Sequence, residues 1–444
     1  MMPVNSWLTD AVLNGVAHGA PPATKSGFAG RRLRLTGNLL SLVSAIAGVA
    51  AVALVSRDVH GSEAGDSTKA SKGLEYKNDR IDSVPWSIHV VKVARNDPTL
   101  EVRSMLARGT VLGLSRVSEQ ILAIPGEAGT PLAGVNGDFY VLGNSRYSGD
   151  PRGLQIVESD LVSDPTGNPS YCAFWIDADG NPHIANVISE FKATLSDGQS
   201  FPFDLNEERR PAGAVLYTAT LGRATGTSGG KELILEKPDK SSWIPFRAGE
   251  TYAAKVREIS ETGNTKLRKD IVVLSLGPQL AAKLPTIEIG ATLKLSTATV
   301  PDLRGARTAI GGGSIVTRGG KAAKIERPKG GGYSVSSMFE RHPRSAVGWS
   351  KTHIYLVEVD GRQSDLSVGM TLAELGEYMA RIGCEEAINL DGGASATCWY
   401  RGRVVNSPCN GSERTVANGL VVLRKARAAG DGSPRLIGAD QTLR

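Results

Sequence analysis

Small and apolar residues run unbroken from Leu39 to Val55, with Arg31, Arg32 and Arg34 before them and Arg57 and Asp58 after. About seventeen such residues is the lower limit for crossing a hydrocarbon core. No face of the run is polar, so it predicts a transmembrane signal anchor over 38–56 rather than a surface helix. The basic flank keeps residues 1–37 in the cytoplasm as an arm and sends the rest of the chain outward. A cleaved signal peptide, giving a secreted protein, is the other reading, against which the long segment before the apolar run stands. The Arg31-Arg32 pair is a loose match to a twin-arginine signal. Residues 57–83 are polar and charged, the pattern of a linker.

From near Val84 the period shortens to two. Ile88–Val93 and Leu100–Met105 read as strands, and Arg116–Ile124 as a short helix. Between Tyr171 and Val300, short strands are separated by Asp-Gly, Gly-Asn-Pro and Gly-Gly turns; Cys172–Ile176 with His183–Val187 forms a hairpin. Thr308–Val316 places three glycines, Gly311 to Gly313, at a strand end, and His353–Val359 is a further strand. Leu372, Leu375, Met379 and Ile382 then share one helical face, Thr371 and Glu374 form a capping box, and Gly383 stops the helix. Strands Glu386–Leu390 and Leu420–Leu423 follow, before a charged tail, 425–444, expected to be mobile. The expected architecture is α+β: mixed, largely antiparallel sheets with a few packed helices over 84–424, strand-rich in the middle, preceded by the one transmembrane helix.

Composition narrows the function classes. Aromatic residues make up 5% and charged residues 22% of the chain, and the formal net charge is +6. Part of that excess lies in the two termini, so no continuous basic stripe offers itself to nucleic acid. Cys172, Cys384, Cys398 and Cys409 include no CxxC pair. In an exported chain an even count reads as two disulfides rather than a metal site. Cys398 and Cys409 flank a strand-turn-strand over 397–405 and are expected to pair, leaving Cys172 with Cys384. Asp177 and Asp179 before Gly180 lack the later ligands of a calcium loop. No metal or other cofactor is expected, and no pattern speaks to oligomeric state.

The candidate chemistry gathers at Asn389-Leu390-Asp391-Gly392-Gly393-Ala394-Ser395. A buried strand delivers a carboxylate to a loop whose glycines permit close ligand approach and an inward-facing nest of N–H groups. Asn136-Gly137-Asp138 repeats the form: strand, Asn, one residue, Asp. Each has a plainer reading. Asp391 caps its turn, or Asn-Gly-Asp is an ordinary turn.

Taken in order, Asn136-Gly137-Asp138-Phe139, Pro151 with Gly153, Arg341-His342-Pro343-Arg344, Val359-Asp360-Gly361-Arg362, Gly369-Met370-Thr371-Leu372, Asn389-Leu390-Asp391-Gly392-Gly393 and Glu413-Arg414 resemble the phosphodiester glycosidase domain family. The resemblance runs from about Val84 to Leu423. Ala394 stands where the family usually has a third glycine, which matters if that position needs φ > 0. The resemblance implies hydrolysis of a sugar-1-phosphate diester to free sugar and a phosphomonoester; with the exported topology, the expected substrate is a glycan or glycolipid of the envelope. A noncatalytic carbohydrate-binding or envelope-structural protein is the alternative.

An oxocarbenium-like centre calls for a carboxylate near the anomeric carbon, and the departing phosphate for positive charge. Asp391 and Asp138 are the candidate carboxylates and Arg344 the phosphate clamp. Asn136, Gly153, His342, Asp360, Asn389, Gly392, Gly393, Ser395, Glu413 and Arg414 are the candidate substrate contacts. In the structural alternatives Arg344 is ion-paired with Glu413 or Asp360, His342 faces solvent, and Glu413 and Arg414 only orient their loop.

Overall fold

A computed structural model describes residues 73–168, 170–327 and 335–426. The expected anchor and the C-terminal tail from 427 lie outside these residues. Among the described residues no helix is long and apolar enough to cross a membrane.

The frame is a seven-stranded sheet in the order Leu74–Ile81, Trp86–Ala94, His353–Val359, Arg344–Trp349, Glu386–Asn389, Ile315–Arg318, Lys321–Ala322. Leu74–Ile81 falls in the stretch expected to be linker. It pairs with Trp86–Ala94 over its whole length, Leu74 opposite Val93, and alternation in a charged segment conceals an edge strand. Arg344–Trp349 is a central strand paired on both sides.

Leu372–Arg381 forms the expected helix. Thr371 Oγ1 accepts the Glu374 N–H at 3.2 Å while a Glu374 carboxylate oxygen accepts the Thr371 N–H at 2.9 Å, closing the capping box. Its buried Leu372, Leu375, Tyr378 and Met379 pack on Ile88, Val316, Ala346, Val357 and Val359 of the sheet. Burial of each such aliphatic side chain contributes roughly 1.5–3 kcal/mol. Gly376 lets the helix touch the sheet, because a Cβ there would stand 2.2 Å from the Val316 carbonyl oxygen.

The opposite face of this sheet, with Val91, Val93, Val347, Leu356 and Ile388, shares a core with two five-stranded sheets. One sheet contributes Val135, Leu420 and Val422 from Thr130–Asn136 and Asn418–Arg424. The other contributes Phe174 and Ile310 from Cys172–Ile176 and Thr308–Gly312. An eight-stranded sheet built from residues 192–296 holds a second core around Trp243 and Phe246. Its short Asp204–Leu205 and Ala214–Tyr217 pair is parallel, and every other pairing in the described sheets is antiparallel. With few helices and this sheet content the chain is strand-dominated, in keeping with an α+β or mostly β class.

The expected disulfides are absent: all four thiols are free. Cys172 and Cys398 point into the core shared by the three sheets, whereas Cys384 packs under the helix on the far side of the seven-stranded sheet. A sheet therefore separates Cys172 from Cys384. Cys398 is fully buried, while Cys409 lies partly exposed beside Arg362.

Candidate active site

Three strand ends meet at one edge of the shared core: Asn136, Asn389 and Gly312. Asn136 fastens them together. Its Nδ2 donates to the Asp391 carbonyl at 2.7 Å, and its Oδ1 accepts the Ser345 hydroxyl at 2.6 Å and the Thr397 N–H at 3.0 Å. The Asp391 N–H returns a bond to the Gly137 carbonyl at 2.9 Å. The Asn136 amide is thus occupied within the chain, joining the loops that carry Asp138 and Asp391 instead of pointing at a ligand.

Asp138 is 1% exposed. Its Oδ1 accepts the Phe139 N–H at 2.7 Å, and its own N–H donates to Asn418 Oδ1 at 2.8 Å. Oδ2 lies between Gly153 and Gly311, where added Cβ atoms would stand 2.9 and 2.4 Å away. Burial, reinforced by the neighbouring Asp391 charge, pushes its carboxyl up to about 8, against the Phe139 hydrogen bond. Asp391 is half-buried. Burial raises it to about 6, offset by Ser395, the Gly392 N–H and the Arg414 charge. Two neighbouring carboxyls therefore titrate on either side of neutrality.

Asp391 opens on a cleft of about 140 Å³ lined by Phe139, His342, Arg344, Arg362 and Asn389 among others. That is the room of roughly five water molecules at ~30 Å³ each. Asn389 is 2% exposed, and among the described residues its Oδ1 has no hydrogen-bond partner. Arg344 is held by backbone carbonyls: its Nε donates to Met370 O at 2.7 Å and an Nη2 hydrogen to Glu340 O at 2.9 Å, with Ser337 O beside it. It pairs with neither Glu413 nor Asp360.

Arg362 is more openly placed. Its guanidinium lies 3.4 Å from His342 Nδ1, and an added Cβ on Gly393 would meet it at 3.0 Å. His342 Nε2 stands 3.3 Å from a Glu340 carboxylate oxygen; burial and the charges of Arg344 and Arg362 lower its pKa. Arg414 stacks over the Tyr140 ring at 5.7 Å, and Tyr140 donates to the Thr415 carbonyl at 2.9 Å.

Several expected contacts are placed otherwise. The Gly392 N–H donates to Asp391 Oδ1 at 2.9 Å and the Gly393 N–H to Pro343 O at 2.9 Å, so these two donors of the expected nest are spent within the chain. Gly393 takes the left-handed conformation at φ 61°, and Ala394 is not among the residues at positive φ, so the missing third glycine costs no backbone strain. Ser395 is buried against Asp391. Gly153 walls the Asp138 carboxylate. Glu413 caps the helix Val117–Leu122 through the Ser118 N–H and hydroxyl, away from the cleft lining. Asp360 is buried with His89 and Glu358, accepting the Ser407 N–H at 2.7 Å. Sequence reasoning missed Arg362 and Tyr140, although Arg362 stood inside a quoted motif.

A larger cavity, about 1010 Å³ and mostly apolar, lies between Arg103–Leu106, the 119–125 segment and Ile244-Pro245. It shares no lining residue with the Asp391 cleft. The pair of perturbed carboxyls and the arginines place the candidate chemistry in the smaller one.

Residues 249–423 match the family described as phosphodiester glycosidase. The match includes Asp391, Arg344 and Arg362 but not Asp138. Over 83 residues the chain is 35% identical to an uncharacterized protein derived from the SPbeta prophage of Bacillus subtilis (strain 168), a match spanning 18% of this chain and 13% of that one. A hypothetical protein from Synechocystis superposes with a TM-score of 0.62 at 18% identity, over 79% of this chain and 62% of that one. A putative exported protein of Burkholderia pseudomallei gives 0.57 at 21% identity, over 76% and 74%. These two structures share the fold.

Proposed function

We propose that this chain, whose residues 249–423 match the phosphodiester glycosidase family, hydrolyses a sugar-1-phosphate diester in an envelope or extracellular glycan or glycolipid, releasing sugar and a phosphomonoester. The observation that carries the reading is the carboxyl pair. Asp391 opens on the cleft between the arginines with the buried Asp138 beside it, and burial pushes Asp391 up to about 6 and Asp138 further, up to about 8, so a single charge on the pair is favoured on Asp391. One charged carboxylate at a cleft rimmed by guanidinium groups suits a substrate with a developing positive centre at C1 and an anionic leaving group.

In this mechanism Asp391 is the carboxylate at the anomeric carbon, acting as nucleophile or as base toward water. The neutral Asp138 behind it keeps the local charge at one and supplies the proton-bearing partner. A phosphate leaves as a stable anion, so positive charge matters more than strong acid help. Arg362, with an exposed guanidinium beside His342, is the phosphate contact, and Arg344 shapes the rim through its carbonyl clasp. The buried Asn389 amide supplies a polar contact to the sugar or phosphate. The small-and-apolar Leu39–Val55 run and its basic flank support an extracytoplasmic location for this chemistry.

Hydrolysis in oxygen-18 water tests the bond cleaved. The expected label appears on the sugar C1 hydroxyl. Label in the phosphate would make the protein a phosphodiesterase. Binding of the diester without turnover would make it a noncatalytic carbohydrate-binding protein.

A further inference from the structure

His89 and Glu358 face each other across neighbouring strands, paired in register in the seven-stranded sheet. Asp360 follows two residues after Glu358, so all three side chains emerge on one face. All are buried: Glu358 is 0%, Asp360 2% and His89 3% exposed. One ligating atom from each lies within 4.8 Å of the other two.

The charges are not balanced by the protein. His89 Nε2 stands 3.2 Å from Asp360 Oδ2, but among the described residues neither carboxylate pairs with an arginine or lysine, and neither oxygen of Glu358 has a hydrogen-bond partner. An isolated buried carboxylate costs several kcal/mol unless paired, protonated or metal-bound. The rest of the cluster resembles the surroundings of a metal ligand. Tyr76 Oη lies 2.8 Å from His89 Nδ1, so its oxygen can accept the Nδ1–H bond in the tautomer that leaves Nε2 as the lone-pair atom facing the carboxylates.

We propose that His89, Glu358 and Asp360 form a binding site for one divalent first-row cation of the zinc or manganese type. One imidazole with two carboxylates favours such an ion over calcium or magnesium, which prefer all-oxygen shells. A dication cancels the two carboxylate charges. It ties the strands Trp86–Ala94 and His353–Val359 to the segment holding Ser407, which already binds Asp360 at 2.7 Å. Arg362 comes two residues later, so the ion acts as a brace for the loop that carries the cleft arginine. This inference does not depend on the substrate or on activity.

The test uses the full chain, purified without an affinity tag that binds metal, stripped with a chelator and titrated separately with Zn²⁺, Mn²⁺ and Co²⁺, with Ca²⁺ and Mg²⁺ as hard-ion controls. One equivalent of at least one first-row ion per chain is expected, with visible ligand-field bands for Co²⁺ and a higher melting temperature on loading. Glu358→Gln should weaken binding more than about 100-fold, beyond the 10–100-fold carried by outer-shell groups, and Tyr76→Phe should fall within that outer-shell range. Less than about 0.1 equivalent bound by the wild-type chain overturns the proposal. Equal binding by wild type and a folded Glu358→Gln chain does the same. The wild-type stoichiometry decides if the substituted chain fails to fold.

Discussion

Asp138 and Gly311 share space that a methyl group would fill: an ideal Cβ on Gly311 would stand 2.4 Å from Asp138 Oδ2 and 2.9 Å from the Gly153 Cα. Gly311→Ala should therefore displace the carboxylate. Overpacking of this kind costs about 1–3 kcal/mol, and a displacement of order 1 Å can cost about 100-fold in rate. Thermal unfolding and turnover of a sugar-1-phosphodiester measure both; wild-type values for each would mean that Asp138 is not held where it stands.

Activity should follow a bell in pH. It rises as Asp391 ionises near 6 and falls as Asp138 loses its proton near 8. Asp138→Asn should remove the alkaline limb, and Asp391→Asn should abolish turnover with the fold intact by circular dichroism. An alkaline limb that persists in Asp138→Asn would assign it to another group.

Stability should fall as pH rises. Burial raises the folded-state pKa of Asp138 and Asp150 to about 8 and of Asp160 and Asp391 to about 6, all above the unfolded value. The folded state thus binds more protons than the unfolded state, and the contribution of these carboxyls declines from about pH 4 until each folded pKa is passed. Denaturant midpoints between pH 5 and 8 should decrease, and Asp138→Asn should flatten the slope. An increase over that window would show that these carboxyls do not control the pH dependence.

Arg362→Gln separates phosphate recognition from sugar recognition. A lost charge-assisted hydrogen bond of about 1.5–3 kcal/mol corresponds to about 10–100-fold in kcat/KM. That loss is expected for a sugar-1-phosphodiester and not for the same sugar on a neutral leaving group. Equal losses on both would make Arg362 a residue of the fold.

Thiol counting checks the cysteine assignment. Four thiols should titrate in denaturant without reductant. In the folded chain Cys409 should react first, because Cys172, Cys384 and Cys398 are buried and burial pushes their thiols up, Cys172 to about 11. Two thiols in denaturant would restore one disulfide.

The sequence by itself determined what depends on neighbours a few residues apart. The Thr371–Glu374 capping box and one-sided apolar spacing define Leu372–Arg381, and the apolar run into Asp391 defines a strand ending in a tight loop, because helix periodicity and turn chemistry are local. The Cys172–Ile176 hairpin was legible for the same reason.

Tertiary structure alone decided where polar groups spend their hydrogen bonds. Sequence singles out Arg344 and not Arg362, yet of the two arginines lining the cleft Arg344 is clasped by the Met370, Glu340 and Ser337 carbonyls while Arg362 stands exposed. Glu413 crosses to Ser118, and His89 meets Glu358 and Asp360 only because two strands pair in one register. The carboxyl pair itself depends on burial, which comes from three sheets closing over one core and which no local spacing encodes.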